Sequence, residues 1–183
     1  MNEPQQYAPG PANLARVIKD ADDSWTLVLV RELRHAPEKV WQALIDPVQL
    51  REWAPFIVDA SLGAIGTVNL TWVGAPAPIE TKVTRVEAPN ALEYGDMRWE
   101  LQALGTGTRL TLLTRINRGF VSMGAAGWHV SFDVLDHMLS GTPIGRIAGG
   151  DAMKFAGWQR LNAEYAEQFG VKAPNWPPNV PKR

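Results

Sequence analysis

The amino-acid sequence predicts an α+β fold in which an antiparallel β-sheet packs on a long helix near the C-terminus. Segments of alternating apolar and polar residues fill the stretch 56–116 and are joined by short turns. A helical stripe of large apolar side chains follows, at spacings of four, three and four residues: Trp128, Phe132, Leu135 and Leu139. Two short helix starts, at Pro37 and Pro47, precede the sheet segments and restrict the topology further.

Length and composition predict one globular domain. The 183 residues suffice for one well-packed core but are few for two. A formal net charge of −1 gives no long-range field, so no nucleic-acid partner is expected. With no cysteine and three histidines that lack ligand spacing, no metal and no other cofactor is predicted. No apolar run has signal-peptide or membrane-span length, so we expect a cytoplasmic protein without membrane insertion.

The chain divides by composition into three parts. Residues 1–12 contain three prolines and predict a flexible leader, 13–170 form the single domain, and 171–183 form a Pro-rich extended tail. Within the domain, 14–19 is a possible short strand. The stretch 25–33 (WTLVLVREL) is a strand rich in β-branched and aromatic residues.

Cap and proline signals predict the two short helices. Pro37 fits the first helical position and Glu38 favours the positive end of the helix dipole. Asp46 followed by Pro47 repeats the signal for a second helix that runs to Trp53. The strands that follow form an antiparallel meander with one buried and one solvated face. On the solvated face we expect acidic residues with arginine partners: Glu32, Glu80, Glu93, Glu100, Arg98 and Arg115.

The long helix is predicted over 124–139. The positions opposite its aromatic stripe are polar and are predicted to face solvent: His129, Asp133, Asp136 and Ser140. After a glycine-rich loop, Asp151 is expected to cap an extra C-terminal helix that ends at Phe169, with Gly170 in the left-handed conformation. The apolar stripe of this helix packs on its own domain or forms a homodimer.

One segment resembles a known family. The run HAPEKVWQALIDP at 35–47, followed by Leu50 and Trp53, is similar to the first helices of the activator of Hsp90 ATPase homologue 1-like family, in the START/Bet v 1-like (SRPBCC) superfamily. The stretch 107–112 (GTRLTL) resembles its last strand, and Gly127-Trp128 its long helix. The resemblance implies a helix-grip fold, with a curved sheet wrapped around the long helix and an apolar cavity between them. It implies no single activity, because this superfamily includes lipid carriers, hormone receptors and polyketide cyclases.

Residues that would carry chemistry are few. There is no GxSxG nucleophile elbow, no phosphate-binding loop and no dinucleotide fingerprint, so no catalytic residue is predicted. The aromatic side chains on the predicted inward faces either fill a dry core or line a ligand pocket. These candidate ligand-binding residues are Trp72, Tyr94, Trp99, Trp128 and Phe132. Trp53 and Phe56, at and after the end of the second short helix, are further candidates, for the mouth of such a pocket.

Three functions fit these observations. The favoured one is noncovalent binding of a small hydrophobic or aromatic molecule in the cavity between sheet and long helix. The second is a polyketide cyclase or aromatase-like enzyme, which needs a polar side chain such as Glu32 or Arg31 turned into the cavity. The third, which the family resemblance implies, is a module that interacts with the chaperone Hsp90.

Overall fold

A computed structural model describes residues 7–174 and contains one eight-stranded antiparallel sheet. The spatial order of the strands is β1-β2-β8-β7-β6-β5-β4-β3, so the second and last strands pair at Ser24–Leu33 and Gly107–Asn117. The strands are β1 (Ala15–Ile18), β2 (Ser24–Leu33), β3 (Phe56–Val58), β4 (Gly66–Trp72), β5 (Ile79–Glu87), β6 (Ala91–Tyr94), β7 (Met97–Leu104) and β8 (Gly107–Asn117).

Within residues 7–174, five α-helices complete the fold, and a 3₁₀ turn (Arg118–Phe120) leads from β8 into the longest of them. The predicted helix-grip architecture is confirmed: a curved antiparallel sheet with two short helices surrounds the long helix, and extra helices follow it. The helices are α1 (Pro37–Ile45), α2 (Pro47–Trp53), α3 (Val121–Leu139), α4 (Gly149–Lys154) and α5 (Ala156–Phe169).

The start of α2 follows from its sequence. The Asp46 carboxylate accepts a hydrogen bond from the Val48 backbone N–H at 2.9 Å and so satisfies one free donor of the first turn. At the other end of α2, the Trp53 indole N–H donates to the Ala43 carbonyl at 2.9 Å. The second bond links α2 to α1 and holds the two short helices together.

The long helix α3 is buried on two sides rather than one. The prediction that His129 and Asp133 face solvent is wrong, because they are only 2% and 7% exposed. Their side of α3 is covered by α5, whose Tyr165 hydroxyl lies 2.7 Å from the His129 Nδ1 atom. Asp136 is partly exposed and Ser140 exposed, as expected at the end of the helix.

The extra C-terminal helix is interrupted at Phe155, which has extended backbone angles and separates α4 from α5. Gly170 ends α5 in the left-handed conformation, with φ of 68°, as the sequence predicts. The apolar stripe of α5 is used within its own chain: Trp158, Leu161, Tyr165 and Phe169 are buried in the common core.

Residues 7–12 of the predicted leader pack on α5. The carbonyls of Pro9 and Gly10 accept hydrogen bonds from the Arg160 guanidinium at 2.6 and 2.8 Å, and the Tyr7 ring stacks on Phe155. The rest of the leader, 1–6, and most of the predicted tail, 175–183, lie outside the described residues. Within 7–174, none of the helices combines the length and apolarity needed to cross a membrane.

Candidate functional site

Five of the seven predicted ligand-binding residues form a packed aromatic core between the sheet and α3. Trp99 lies at its centre: its ring centroid is 6.1 Å from that of Trp53 and 6.0 Å from that of Phe132. Its indole N–H donates to the Tyr94 hydroxyl at 3.0 Å, which satisfies both buried polar groups. Burial raises the pKa of Tyr94, so this phenol stays neutral. Phe56 completes the cluster, and all five side chains are at most 1% exposed.

A pocket of about 270 Å³ opens beside this aromatic core. Trp72 and Trp128 separate the two: their centroids lie 6.3 Å apart in an edge-to-face arrangement, and each also contacts Phe56. Of the seven predicted residues, only these two line the pocket. Its walls come from the end of β4, β8, the 3₁₀ turn, α3 and the chain after α3, with one residue from the loop before β3: Pro55, Trp72, Val73, Ile116, Phe120, Met123, Gly124, Gly127, Trp128, Ser131, Ile147, Ala148, Gly149, Ala152, Met153 and Trp158.

One stripe of α3 forms the inner wall of the pocket. Gly124, Gly127, Trp128 and Ser131 are separated by three, one and three residues and therefore share one side of the helix. A Cβ atom at Gly124 would lie 2.6 Å from Ile116 Cδ1, so glycine permits the close approach of β8. At Gly127 a Cβ atom would meet only Trp158 Nε1, at 3.9 Å. Gly127 thus leaves open space in the inner wall next to Trp128, whereas the space beside Gly124 is filled by the Ile116 side chain.

The segment after α3 forms the outer wall. Ile147, Ala148 and Gly149 precede or begin α4, and Ala152 and Met153 lie within it. Gly149 adopts φ of 61° next to β4, where an added Cβ atom would lie 3.0 Å from the Val73 carbonyl oxygen. A side chain at 149 would therefore be strained, and glycine lets this wall approach the sheet.

The chemistry of the lining is almost entirely apolar. None of the described residues in it carries a formal charge, and apart from the tryptophan indoles its one polar side chain is that of Ser131. The Ser131 hydroxyl oxygen is buried and has no hydrogen-bond partner among the described residues. An unsatisfied buried hydroxyl costs about 1–3 kcal/mol. Such a group therefore marks a position where a bound molecule could supply the missing partner.

The other buried polar groups of α3 lie on the opposite side of that helix. Asp133 accepts hydrogen bonds from the Tyr7 hydroxyl and the Arg31 guanidinium. Arg31 thus faces α3, but it pairs with a carboxylate and does not line the pocket. His129 Nε2 lies 3.8 Å from the Asp133 carboxylate.

Burial sets the protonation of this cluster. It lowers the pKa of His129, although the Asp133 carboxylate opposes the effect, so the imidazole is held neutral. Burial also raises the pKa of Tyr165 to about 12. It raises the pKa of Tyr7 as well, and the hydrogen bond from Tyr7 to Asp133 raises that pKa further. Among residues 7–174, no group of three or more acidic or histidine side chains is placed to hold a metal ion.

The outer face of the sheet is solvated, as predicted. Glu32 pairs with Arg109 at 3.0 Å, and Arg98 pairs with Glu100 at 2.7 Å. Arg115 instead pairs with two aspartates of the β1–β2 turn, Asp20 and Asp22. Glu32 is therefore not turned into the cavity.

Of the residues that line the pocket, only Trp72 and Trp128 were predicted from the sequence, and the residues on either side of them were not. One signal was present: Gly124 and Gly127 lie inside a predicted helix, where each glycine costs up to about 1 kcal/mol relative to alanine. Such glycines have a packing or functional reason. The outer wall gave no comparable signal, because the loop after α3 has no periodicity.

Comparison with known proteins shows the family and the fold. A family model described as "Activator of Hsp90 ATPase homolog 1-like protein" matches residues 34–140. No curated protein matches the chain. A conserved protein of unknown function from Enterococcus faecalis has a TM-score of 0.62 and 14% identity, over 84% of this chain and 89% of that one.

Two further solved structures are similar. CalU16 from Micromonospora echinospora has a TM-score of 0.59 and 19% identity, over 85% of this chain and 92% of that one. DynU16, a protein of the dynemicin biosynthetic locus, has a TM-score of 0.57 and 20% identity, over 70% of this chain and 51% of that one. At these identities the likeness shows a common fold.

Proposed function

Because the chain belongs to the family of Activator of Hsp90 ATPase homolog 1-like proteins, whose helix-grip fold can hold a ligand, we propose that it binds a small, uncharged, largely apolar molecule. The proposed site is the pocket between Trp72, Trp128 and Trp158. The observation that carries the proposal is this apolar pocket beside a core that is already filled by aromatic side chains. Its volume of about 270 Å³ suits a ligand near the lower end of the usual range, roughly 300–1,000 Å³.

Binding without covalent chemistry fits the lining better than catalysis does. A cyclase-like mechanism needs a proton donor or acceptor beside the substrate, such as a carboxylate, a guanidinium or a phenol. The lining among residues 7–174 includes none of these groups. The strongly perturbed groups Tyr7, Tyr94, His129 and Tyr165 all lie outside it. The indole rings instead offer flat apolar surfaces to a ligand.

Calorimetric titration with butylbenzene, an uncharged hydrocarbon, tests the proposal. We expect saturable binding to the wild-type protein and its loss in Gly127→Leu, because the added side chain starts on the inner wall of the pocket. Gly150→Leu is the matched control: Gly150 is also helical, but it is exposed and outside the lining, so binding should persist. Equal binding by Gly127→Leu and wild type would place the hydrocarbon elsewhere and contradict the proposal.

A further inference from the structure

Two serines of α3 differ in how their buried hydroxyls are satisfied. Ser122 and Ser131 are each 1% exposed. The Ser122 hydroxyl donates to the Asn162 side-chain carbonyl at 2.8 Å, which ties α3 to α5. The Ser131 hydroxyl has no such partner. Among the described residues, its oxygen is the one buried side-chain nitrogen or oxygen atom without a hydrogen bond. Ser131 is also the serine that lines the pocket.

We infer that the ligand carries one uncharged hydrogen-bonding group, a hydroxyl or a carbonyl, which pairs with the Ser131 hydroxyl. This inference rests on the proposed function and adds the chemical class of the ligand to it. A serine hydroxyl can donate one hydrogen bond and accept others, so it suits either group. The oxygen itself is buried, so this pairing requires the Ser131 side chain to rotate about its Cα–Cβ bond toward the pocket, where a ligand atom would supply the missing hydrogen bond.

The surroundings of Ser131 restrict the rest of the ligand. Ser131 lies three residues after Trp128 on the same side of α3, about 4.5 Å further along the helix axis. A ligand that reaches this hydroxyl therefore extends its apolar part along the Trp128 indole toward Met123 and Phe120. No lysine or arginine in the described lining could compensate an anion, and no carboxylate could compensate a cation. Ionised ligands would leave their charge unpaired in an apolar site and are disfavoured.

Three probes of similar shape test separately whether the ligand needs an apolar body, a hydrogen-bonding group and the absence of charge. Butylbenzene is wholly apolar, 4-propylphenol has the same number of non-hydrogen atoms but carries a ring hydroxyl opposite a propyl chain, and 4-propylbenzoate carries a negative charge. Each is titrated calorimetrically into the wild type, Ser131→Ala and Ser122→Ala. Ser122→Ala is the matched control, since it removes a buried hydroxyl from the same helix at a position outside the lining.

For Ser131→Ala we expect the Kd of 4-propylphenol to rise about fivefold, the effect of one lost neutral hydrogen bond, while that of butylbenzene changes less than about twofold. Ser122→Ala should leave the ratio of the two constants unchanged. The benzoate should bind at least about tenfold more weakly than the phenol in the wild type.

The outcomes distinguish the proposed apolar binding site from the inferred hydrogen bond to Ser131. If butylbenzene and 4-propylphenol both bind and Ser131→Ala weakens them equally or not at all, the inference about the polar group is wrong and the apolar site stands. If neither molecule binds the wild type, the proposed function fails and this inference fails with it. Tighter binding of the benzoate than of the phenol would also overturn the assignment of an uncharged group.

Discussion

Asp133 joins three parts of the chain through one carboxylate. It accepts from the Tyr7 hydroxyl of the N-terminal segment and from the Arg31 guanidinium of β2, while its own backbone belongs to α3. The Asp133 side chain is 10% exposed and that of Arg31 is 21% exposed, so water screens the pair only in part. This carboxylate therefore contributes to stability, in contrast to the ion pairs of the outer sheet face.

We predict that Asp133→Asn lowers the free energy of unfolding by about 2 kcal/mol, because Arg31 loses its more buried carboxylate partner and keeps only the more exposed Asp136, at 3.4 Å. Urea denaturation measures the change. The matched control is Glu32→Gln, which removes one half of an exposed pair with Arg109 and should cost less than about 0.5 kcal/mol. Similar losses in both variants would contradict this account of the Asp133 cluster.

His129 gives the protein a predictable response to acid. Burial lowers the pKa of His129 in the folded protein below its ordinary value of 6.5, against the opposing effect of Asp133. The unfolded chain therefore takes up a proton at a higher pH than the folded protein does. The stability from neutral His129 is fully present above about pH 6.5 and is lost as the pH falls through the folded pKa.

We expect the wild type to be less stable at about pH 5.5 than at about pH 7.5, and the difference to be smaller in His129→Gln. The carboxylates with lowered pKa values, Asp59, Glu87 and Glu164, titrate below this interval and do not contribute to it. Denaturant curves at the two pH values provide the measurement. An unchanged difference in His129→Gln would show that another group is responsible.

At the scale of elements, α3 has three separate environments. One side packs on the aromatic core through Trp128 and Phe132, a second faces α5 through Ser122 and His129, and a third forms the inner wall of the pocket. The position of α5 determines two of these environments. It buries the polar side of α3 and brings Trp158 to the pocket.

Tyr165→Phe tests the contact between α5 and α3. The Tyr165 hydroxyl pairs with His129 Nδ1 at 2.7 Å and accepts from the Leu14 backbone N–H at 3.2 Å, so its removal leaves both groups without a partner. We expect a loss of about 1–3 kcal/mol in the free energy of unfolding. The Leu14 amide should also exchange its hydrogen faster with solvent. An unchanged exchange rate at Leu14 would contradict the proposed role of this hydroxyl.

Patterns within single segments of the sequence predicted the strands and the helix start that depend mainly on neighbouring residues. The alternation in β4, β7 and β8 identifies the buried face of each strand, and the sequence Asp46-Pro47 identifies the start of α2. The polar side of α3 could not be predicted in this way. His129 and Asp133 have the spacing of a solvated face, and only the packing of α5, together with Tyr7 and Arg31, shows that they are paired and buried.

The pocket was only partly predictable for a related reason. Periodicity correctly placed the aromatic side chains on inward faces, but it could not distinguish those that fill the core from those beside an opening. Trp53 and Trp99 pack edge to face and leave no space between them, whereas Gly127 of α3 leaves space next to Trp128. That difference depends on the shapes of neighbouring residues from other elements.

At the scale of the whole molecule, the pocket combines the family segment with the chain that follows it. The family match ends at residue 140, and the outer wall of the pocket begins at Ile147. Strands β4 and β8 and helix α3 supply the inner surfaces, while the loop before α4, α4 itself and α5 close the space from outside. We propose that this composite, uncharged pocket is the binding site.

A crystal structure of the protein with bound 4-bromophenol tests this assignment of the binding site, because the anomalous signal of bromine locates the ligand independently of its shape. We expect the bromine peak inside the pocket, against the Trp128 indole, with the phenol oxygen within hydrogen-bond distance of Ser131 Oγ. A pocket that stays empty at saturating ligand, or bromine bound only at the molecular surface, would contradict the account.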